Sequence, residues 1–204
     1  QAYDRWDSGL SDLLHEPDGV ALREMIRAED RDALGAPGAR VFANSGNVAG
    51  RLRRYLGLAA RPLYHPPPNA DALRPGPFGD YLLAPGRIGP MKRQKLMIEA
   101  LAASRSRPRL VFVGVPDDAQ YLEELKTLAR RLGVDRCIEW AGRVPDDEMV
   151  GLYAGARAVL YTPIDEDYGY VTLEAMLAGK PVIVTEDAGG PLEFVTDGEA
   201  GWVC

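Results

Sequence analysis

The sequence has 204 residues, 46% hydrophobic and 26% charged, which is ordinary for a soluble globular protein. This length allows one large domain, or one domain with part of another. The net charge of −6 and the pI near 5.0 argue against a nucleic-acid-binding protein, because a phosphate backbone requires a basic face. No run approaches the roughly 18 apolar residues of a membrane-spanning helix.

The chain begins QAYDRWDSG, without the basic-then-apolar pattern of a secretion signal, and this favours a cytoplasmic location. It also lacks an initiator methionine, so we expect an excised piece of a longer protein. Cys137 and Cys204 lie in different segments and do not suggest a disulfide framework.

Residues 1–64 hold helix-like and strand-like segments but are too few for a doubly wound domain of their own. A helix is predicted from near Ser45, a good N-cap residue, to near Gly57, a good C-cap residue. Its arginine cluster is compatible with peripheral contact with anionic lipid, although such clusters are more often simply solvated. This cluster consists of Arg51, Arg53 and Arg54.

Residues 65–79 contain five prolines and few periodic apolar positions, so they are predicted to be a linker. From Asp80 onward, strand-like and helix-like segments alternate with short loops. The predicted strands are YLLAP, RLVFVG, RCIEW, AVLYT, PVIV and a short GWV. Such a series predicts an α/β fold with a Rossmann-like, doubly wound parallel sheet, in which ligands bind beyond the carboxyl ends of the strands.

The stretch DEDYGYVTLEAMLAGKPVIV places Glu166 in a loop before Gly169 and Glu174 about one turn into an apolar helix that begins near Tyr170. A carboxylate can accept hydrogen bonds from sugar hydroxyls, and the first N–H groups of a helix can receive phosphate. Alternatively, Glu166 is a solvated loop charge, and Glu174 is a buried carboxylate paired with a lysine or a capping amide.

Two cations, Arg87 and Lys92, follow the first strand of the α/β region in GRIGPMKRQK. In a parallel sheet, they would lie on the same edge as the two glutamates. A nucleotide-sugar would suit all four side chains, since its hydroxyls match the glutamates and its diphosphate matches the cations. The simpler alternative is a pair of surface cations.

Several segments resemble the retaining GT-B glycosyltransferases of family 4. GRIGPMKRQKLMIEA is similar to the family's GR-x-x-x-x-K-G-x-x-x-L-I-x-A segment, and EDYGYVTLEAMLAGKPVI to its E-G-F-G-L-x-x-x-E-A-x-A-x-G-x-P-V-I segment. Three further segments match in order: RLVFVG, IEWAGRVPDDEMVGLYAGARAVLYTP and GGPLEFVTDGEAGWV. The resemblance implies that residues 80–204 are a nucleotide-sugar donor-binding domain, truncated at its C-terminus, and that residues 1–64 are a remnant of the N-terminal acceptor domain.

The resemblance also implies residue roles. Arg87 and Lys92 would hold the donor diphosphate and stabilise its charge as the nucleotide leaves, Glu174 would bind the ribose, and Glu166 the donor sugar. Backbone groups of the remaining donor-binding residues would complete the site, and these residues are Gly114, Arg143, Val144, Tyr168, Gly169 and Tyr170.

The implied reaction is transfer of a hexose, with retention, from a nucleotide-diphosphate sugar to a glycan or lipid-linked acceptor in bacterial-type glycoconjugate synthesis. It would need no metal or other cofactor and would take place in the cytoplasm or at the inner face of the membrane. Because most of the acceptor domain is absent, we expect the fragment alone to bind donor better than it turns over. A non-catalytic nucleotide-sugar-binding module is the alternative.

The sequence departs from the family pattern at three positions. Arg93 stands where the family commonly has glycine, and Asp167 and Tyr168 replace its usual Gly-Phe. Asp165 and Asp167 also spell D-x-D, which binds a divalent metal in the other large glycosyltransferase fold. Because Asp167 adds a negative charge, we expect a donor that differs from that of commoner members.

Overall fold

The computed structural model of the protein describes residues 2–9 and 11–204. They form two compact units, the first ending at Tyr64 and the second running from His65 to Cys204. The proline-rich segment 65–79, predicted as a linker, belongs to the second unit, and its Leu73 is buried in that unit's core.

The first unit is mainly helical. Its described elements are α1 (Asp4–Asp7), a 3₁₀ turn (Asp12–His15), α2 (Gly19–Leu34), β1 (Phe42–Ala43), α3 (Gly46–Leu56) and β2 (Arg61–Pro62), and β1 pairs with β2 in parallel. The predicted caps of α3 are confirmed. The Ser45 hydroxyl accepts a hydrogen bond from the Val48 amide at 3.0 Å, and Gly57 closes the helix in the left-handed conformation, with φ of 71°.

Acidic side chains of α1 lie beside the arginine cluster of α3. Arg51 forms an ion pair with Asp4 at 2.7 Å, and Arg54 lies 3.8 Å from Asp7. These contacts neutralise part of the positive charge on which the expectation of lipid contact depends.

The second unit is built on a parallel sheet. Its described strands are β3 (Tyr81–Pro85), β4 (Arg109–Val113), β5 (Ile138–Gly142), β6 (Ala158–Leu160), β7 (Val182–Val184) and β8 (Gly201–Val203). Its helices are α4 (Gln94–Ala103), α5 (Ala119–Arg131), α6 (Asp146–Gly155) and α7 (Tyr170–Leu177), with 3₁₀ turns at Pro90–Lys92, Asp135–Cys137 and Gly190–Glu193. The strand order is β5-β4-β3-β6-β7-β8, and the direction of winding changes between β3 and β6. The prediction of a doubly wound α/β sheet is therefore confirmed.

Alternation along β4 shows how the two faces of the sheet are covered. Leu110 and Phe112 pack with buried residues of α4 and α5 on one face. Val111 and Val113 point to the other face, where they pack with buried residues of α6 and α7. Because both faces are covered, the strand is apolar at nearly every position, as parallel strands generally are.

A buried lysine fastens the proline-rich segment to the rest of the second unit. Lys180, which is 2% exposed, donates hydrogen bonds to the carbonyls of Gly76 at 2.8 Å and Pro77 at 3.0 Å. Its Nζ also lies 4.3 Å from the ring centroid of Phe78. The segment is thus held against the turn between α7 and β7.

No helix in the described part of the chain has both the length and the apolar composition needed to cross a bilayer.

Candidate functional site

The candidate site lies at the carboxyl edge of the sheet, where the strand order reverses. β3 and β6 are paired neighbours there, and the chain leads from β3 to β4 in one half of the sheet and from β6 to β7 in the other. The 3₁₀ turn Pro90–Lys92 follows β3, and the loop that carries Glu166 follows β6. A crevice at such a reversal is the usual ligand position in an open α/β sheet.

Lys92, Tyr161 and Glu166 converge at this reversal, and we call them the switch-point cluster. The Lys92 ammonium forms an ion pair with Oε2 of Glu166 and donates to the Tyr161 hydroxyl at 3.3 Å. The same hydroxyl donates to Oε2 of Glu166 at 3.0 Å. Burial raises the pKa of Tyr161, and the Glu166 charge adds to this effect, so the phenol stays a proton donor. The cluster therefore combines a cation with a carboxylate whose orientation is fixed.

Backbone pairing with a neighbouring loop holds Glu166 in place. The amides of Asp165 and Glu166 donate to the carbonyls of Asp187 and Ala188, each at 2.8 Å, and the Gly190 amide donates to the Glu166 carbonyl at 2.8 Å. A Cβ atom at Gly190 would lie 2.5 Å from a carbonyl oxygen of the Glu166 loop. The absence of a side chain at Gly190 thus permits this close pairing.

Glu174 lies in the second turn of α7 and is oriented by a tyrosine. The hydroxyl of Tyr153, a residue of α6 that is 1% exposed, donates to Oε2 of Glu174 at 2.6 Å. Among the described residues, Oε1 has no hydrogen-bond partner. Burial raises the pKa of Glu174, whereas the Tyr153 hydrogen bond opposes the rise. One oxygen is therefore held by the protein, and the other can accept a hydrogen bond from a ligand.

Arg87 follows β3 but does not join the switch-point cluster. Its guanidinium pairs with Oδ1 of Asp117 at 3.1 Å, and its side chain is 69% exposed. Its backbone is better fixed, because the buried side chain of Gln94 donates to the Arg87 carbonyl at 2.9 Å and accepts from the Gly89 amide at 3.2 Å. Because this guanidinium is exposed, a change of side-chain rotamer can release it from Asp117.

Tyr168 and Tyr170 direct their side chains to His65, at the start of the proline-rich segment. The Tyr168 hydroxyl donates to the His65 carbonyl at 2.5 Å and accepts from its amide at 3.0 Å, and the Tyr170 hydroxyl lies 2.8 Å from Nε2 of His65. Between them, Gly169 begins α7 with φ of 84°, and a Cβ there would lie 2.7 Å from Cγ of Pro191. The backbone of this turn thus lies at the amino end of α7.

Gly114, Arg143 and Val144 lie after β4 and β5, on the other side of the strand reversal. The Gly114 amide donates to the Gly142 carbonyl at 2.8 Å, and a Cβ at Gly114 would lie 2.1 Å from the Gly86 carbonyl. Arg143 is exposed, whereas Val144 packs against the core on the α6 and α7 face. The close approach of the ends of β3 and β4 therefore requires glycine at position 114.

Sequence reasoning missed two tyrosines and the contacts of a histidine. Tyr153 lies in the apolar second half of α6 and Tyr161 directly follows the apolar strand β6, and a tyrosine in such a segment is typical of core packing. The position of Tyr161 directly after β6 was the available signal, since residues there face the ligand edge of the sheet. His65 showed no partner pattern in the sequence.

Across residues 2–9 and 11–204, no group of three or more His, Cys, Asp or Glu side chains could hold a metal ion. Asp165 of the D-x-D pair has φ of 43° and donates its amide to the backbone of the β7 loop. In this arrangement, the D-x-D segment is part of the loop pairing that fixes Glu166.

A family model described as glycosyl transferases group 1 matches residues 78–204, which is more than half of the chain. The chain belongs to this family. The match covers the whole of the parallel sheet and all the predicted site residues. The family assignment thus rests on the same region in which the switch-point cluster, Glu174 and Arg87 lie.

Similar proteins agree with this assignment. The chain is 33% identical over 190 residues to a D-inositol 3-phosphate glycosyltransferase of Acidothermus cellulolyticus, covering 88% of this chain and 38% of that protein. It is 37% identical over 131 residues to a lipopolysaccharide 1,2-N-acetylglucosaminetransferase of Salmonella typhimurium, covering 59% and 34%. The Anabaena protein Alr3699/HepE, solved in complex with UDP and glucose, has a TM-score of 0.74 and 25% identity, covering 87% and 53%. The chain therefore spans about half or less of the length of these proteins.

Proposed function

We propose that this group 1 glycosyltransferase chain is the donor-binding half of a retaining enzyme of the family 4 type. The enzyme would transfer a hexose from a nucleotide-diphosphate sugar to a glycan or lipid-linked acceptor. The observation that carries the proposal is the switch-point cluster, in which a cation and an oriented carboxylate meet at the ligand edge of the sheet. The UDP and glucose bound by the Anabaena protein support the class of donor.

In the proposed site, three groups of side chains bind different parts of the donor. Lys92, joined by Arg87, binds the diphosphate and stabilises the negative charge that grows on it as the bond to the sugar breaks. Glu166 accepts hydrogen bonds from hydroxyls of the sugar, and Oε1 of Glu174 accepts from the ribose. The anomeric carbon exchanges its bond to the phosphate oxygen for one to the acceptor oxygen, and the acceptor proton passes to a phosphate oxygen.

Donor binding requires Arg87 and Lys92 to exchange carboxylate partners for phosphate. The Arg87–Asp117 pair is exposed, and pairs of this kind contribute only about 0–1 kcal/mol, so its loss costs little. Lys92 is only 21% exposed, and a diphosphate brings more negative charge than the single carboxylate that it now faces. The exchange also releases Oε2 of Glu166 for a sugar hydroxyl.

Calorimetry with UDP-glucose and GDP-mannose tests the proposal. We expect one of these sugars to bind the chain, and Arg87→Ala and Glu174→Ala each to weaken that binding at least about tenfold, as expected when a charged hydrogen-bonding partner is lost. Arg109→Ala is the matched control, because Arg109 is also an exposed arginine paired with an acid, Glu139, but lies at the opposite end of the strands.

Affinity unchanged by both substitutions would refute the site. Because the proposal assigns the diphosphate charge to side chains, adding a chelator should leave the affinity unchanged. A loss of binding in chelator would instead favour the metal-dependent alternative.

A further inference from the structure

Arg93 is a non-glycine residue in the left-handed region of backbone space. It has φ of 53° and ψ of 42°, between the 3₁₀ turn Pro90–Lys92 and the start of α4. Glycine adopts this conformation at no steric cost, whereas an arginine is strained in it. The contacts of the side chain must therefore compensate for the backbone strain.

The guanidinium of Arg93 connects two other loops of the ligand edge. It donates to the Thr162 carbonyl at 2.8 Å and the Pro163 carbonyl at 3.1 Å, both in the loop after β6. In the loop after β7, it contacts the Thr185 hydroxyl at 2.7 Å and both carboxylate oxygens of Asp187, at 2.5 and 3.0 Å. This two-point pairing lowers the pKa of Asp187. A single side chain thus fastens the loops after β3, β6 and β7 to one another.

These loops carry the charged residues of the switch-point cluster. Lys92 directly precedes Arg93 in the sequence. Glu166 lies in the loop after β6, whose amides at Asp165 and Glu166 bond to the carbonyls of Asp187 and Ala188. Arg93 is therefore joined to Lys92 directly along the chain, and to the backbone around Glu166 through its ion pair with Asp187.

We infer that Arg93 is a positioning residue that sets the separation between Lys92 and Glu166 and thereby governs recognition of the donor sugar. The inference rests on the proposed donor site. Hydrogen bonds from sugar hydroxyls to Glu166 are directional, so a small displacement of its loop weakens them. The attraction between Lys92 and a diphosphate is less directional and tolerates the same displacement. Loss of Arg93 should thus affect the sugar more than the nucleotide.

Arg93→Gly removes the guanidinium and relieves the backbone strain at the same time. Arg107→Gly is the matched control, because Arg107 also has a positive φ, of 41°, but is exposed and lies in the loop before β4. The first measurement is amide hydrogen exchange by NMR without ligand. We expect Arg93→Gly to accelerate exchange at the Asp165 and Glu166 amides by at least about tenfold, through local opening of the loop. The Gly114 amide should be unaffected, and Arg107→Gly should leave all three amides unchanged.

The second measurement is the affinity for UDP-glucose and for UDP, or for GDP-mannose and GDP if the chain binds that donor instead. Arg93→Gly should raise the Kd of UDP-glucose about tenfold and that of UDP less than about threefold, because the directional contacts are lost first. A merely structural role would change neither Kd, or both equally. Unchanged exchange at Asp165 and Glu166, or an unchanged ratio of the two Kd values, would overturn the inference.

Failure of the proposed function is distinguishable from failure of the inference. If the unsubstituted chain binds neither UDP-glucose nor GDP-mannose, the donor site itself is refuted, together with the role of Arg93 in sugar recognition. If the unsubstituted chain binds one of these donors and its free nucleotide, and Arg93→Gly binds them equally well, only the inference about Arg93 fails.

Discussion

Removing the hydrogen bond between Tyr153 and Glu174 should destabilise the protein by an amount that depends on pH. The donor–acceptor distance of 2.6 Å is typical of a charge-assisted bond, which contributes about 1.5–3 kcal/mol, against about 1 kcal/mol for a bond between neutral groups. Tyr153→Phe keeps the buried ring and removes only the hydroxyl. We therefore expect it to lower the free energy of unfolding by about 1.5–3 kcal/mol at pH 8 and by about 1 kcal/mol once Glu174 is protonated.

The direction of this pH dependence follows from the pKa of Glu174, which burial raises above its ordinary value. The folded state thus holds this proton more tightly than the unfolded state, and stability falls as pH rises through the folded-state pKa. Because the Tyr153 bond favours the charged form, its removal raises the pKa further. A difference of about 1.4 kcal/mol between the two protonation states corresponds to one pKa unit. The destabilisation by Tyr153→Phe should accordingly grow with increasing pH.

Urea unfolding from about pH 4, below the ordinary pKa of a glutamate, to pH 8 measures this effect. Tyr121→Phe is the control, because Tyr121 is a half-buried tyrosine of α5 whose hydroxyl donates no hydrogen bond to a carboxylate in the described part of the chain. In a Glu174→Gln background, Tyr153→Phe should cost about 1 kcal/mol at every pH. A destabilisation by Tyr153→Phe that is the same at about pH 4 and at pH 8 would refute a bond to an ionised Glu174.

Two further predictions concern stability. Gly114→Ala, with φ of 144° and a Cβ placed 2.1 Å from the Gly86 carbonyl, should lower the free energy of unfolding by at least about 2 kcal/mol in urea denaturation. Gly151→Ala, in α6 with open space around its Cβ position, should instead stabilise by about 0.5–1 kcal/mol, and equal effects of the two would contradict the close approach. Lys180→Met should cost about 2–3 kcal/mol by the same measurement, because two carbonyls lose their hydrogen bonds to a buried ammonium. Lys95→Met, at an exposed helix pair, should cost less than about 0.5 kcal/mol, and a similarly small loss for Lys180→Met would mean that the lysine does not anchor the proline-rich segment.

The fold could be predicted from the sequence because its signals are local. Apolar strands alternate with amphipathic helices, and a single strand such as β4 is apolar at nearly every position because both of its faces are covered. The ends of α3 were predictable for the same reason, since the serine and glycine caps act within a few residues of the helix.

The site was harder to predict because its contacts join distant segments. Lys92 and Glu166 lie 74 positions apart, and only the strand order brings the loops after β3 and β6 together. Tyr153 could not be distinguished from a core residue, because burial of an aromatic ring gives no indication that its hydroxyl bonds a carboxylate. The pairing of Arg87 with Asp117 depends on rotamers of exposed side chains, which no sequence pattern specifies.

The central claim is that two residues of one site bind different parts of the donor, Lys92 the diphosphate and Glu166 the sugar. Comparing the affinities for UDP and UDP-glucose in Lys92→Met and Glu166→Gln tests it most directly. Lys92→Met should weaken both ligands at least about tenfold, whereas Glu166→Gln should weaken UDP-glucose by that factor and leave UDP bound as tightly or more tightly, because the lysine loses its competing carboxylate. If Glu166→Gln weakens UDP as much as UDP-glucose, or if Lys92→Met weakens neither ligand, the division of the donor between these two residues is wrong.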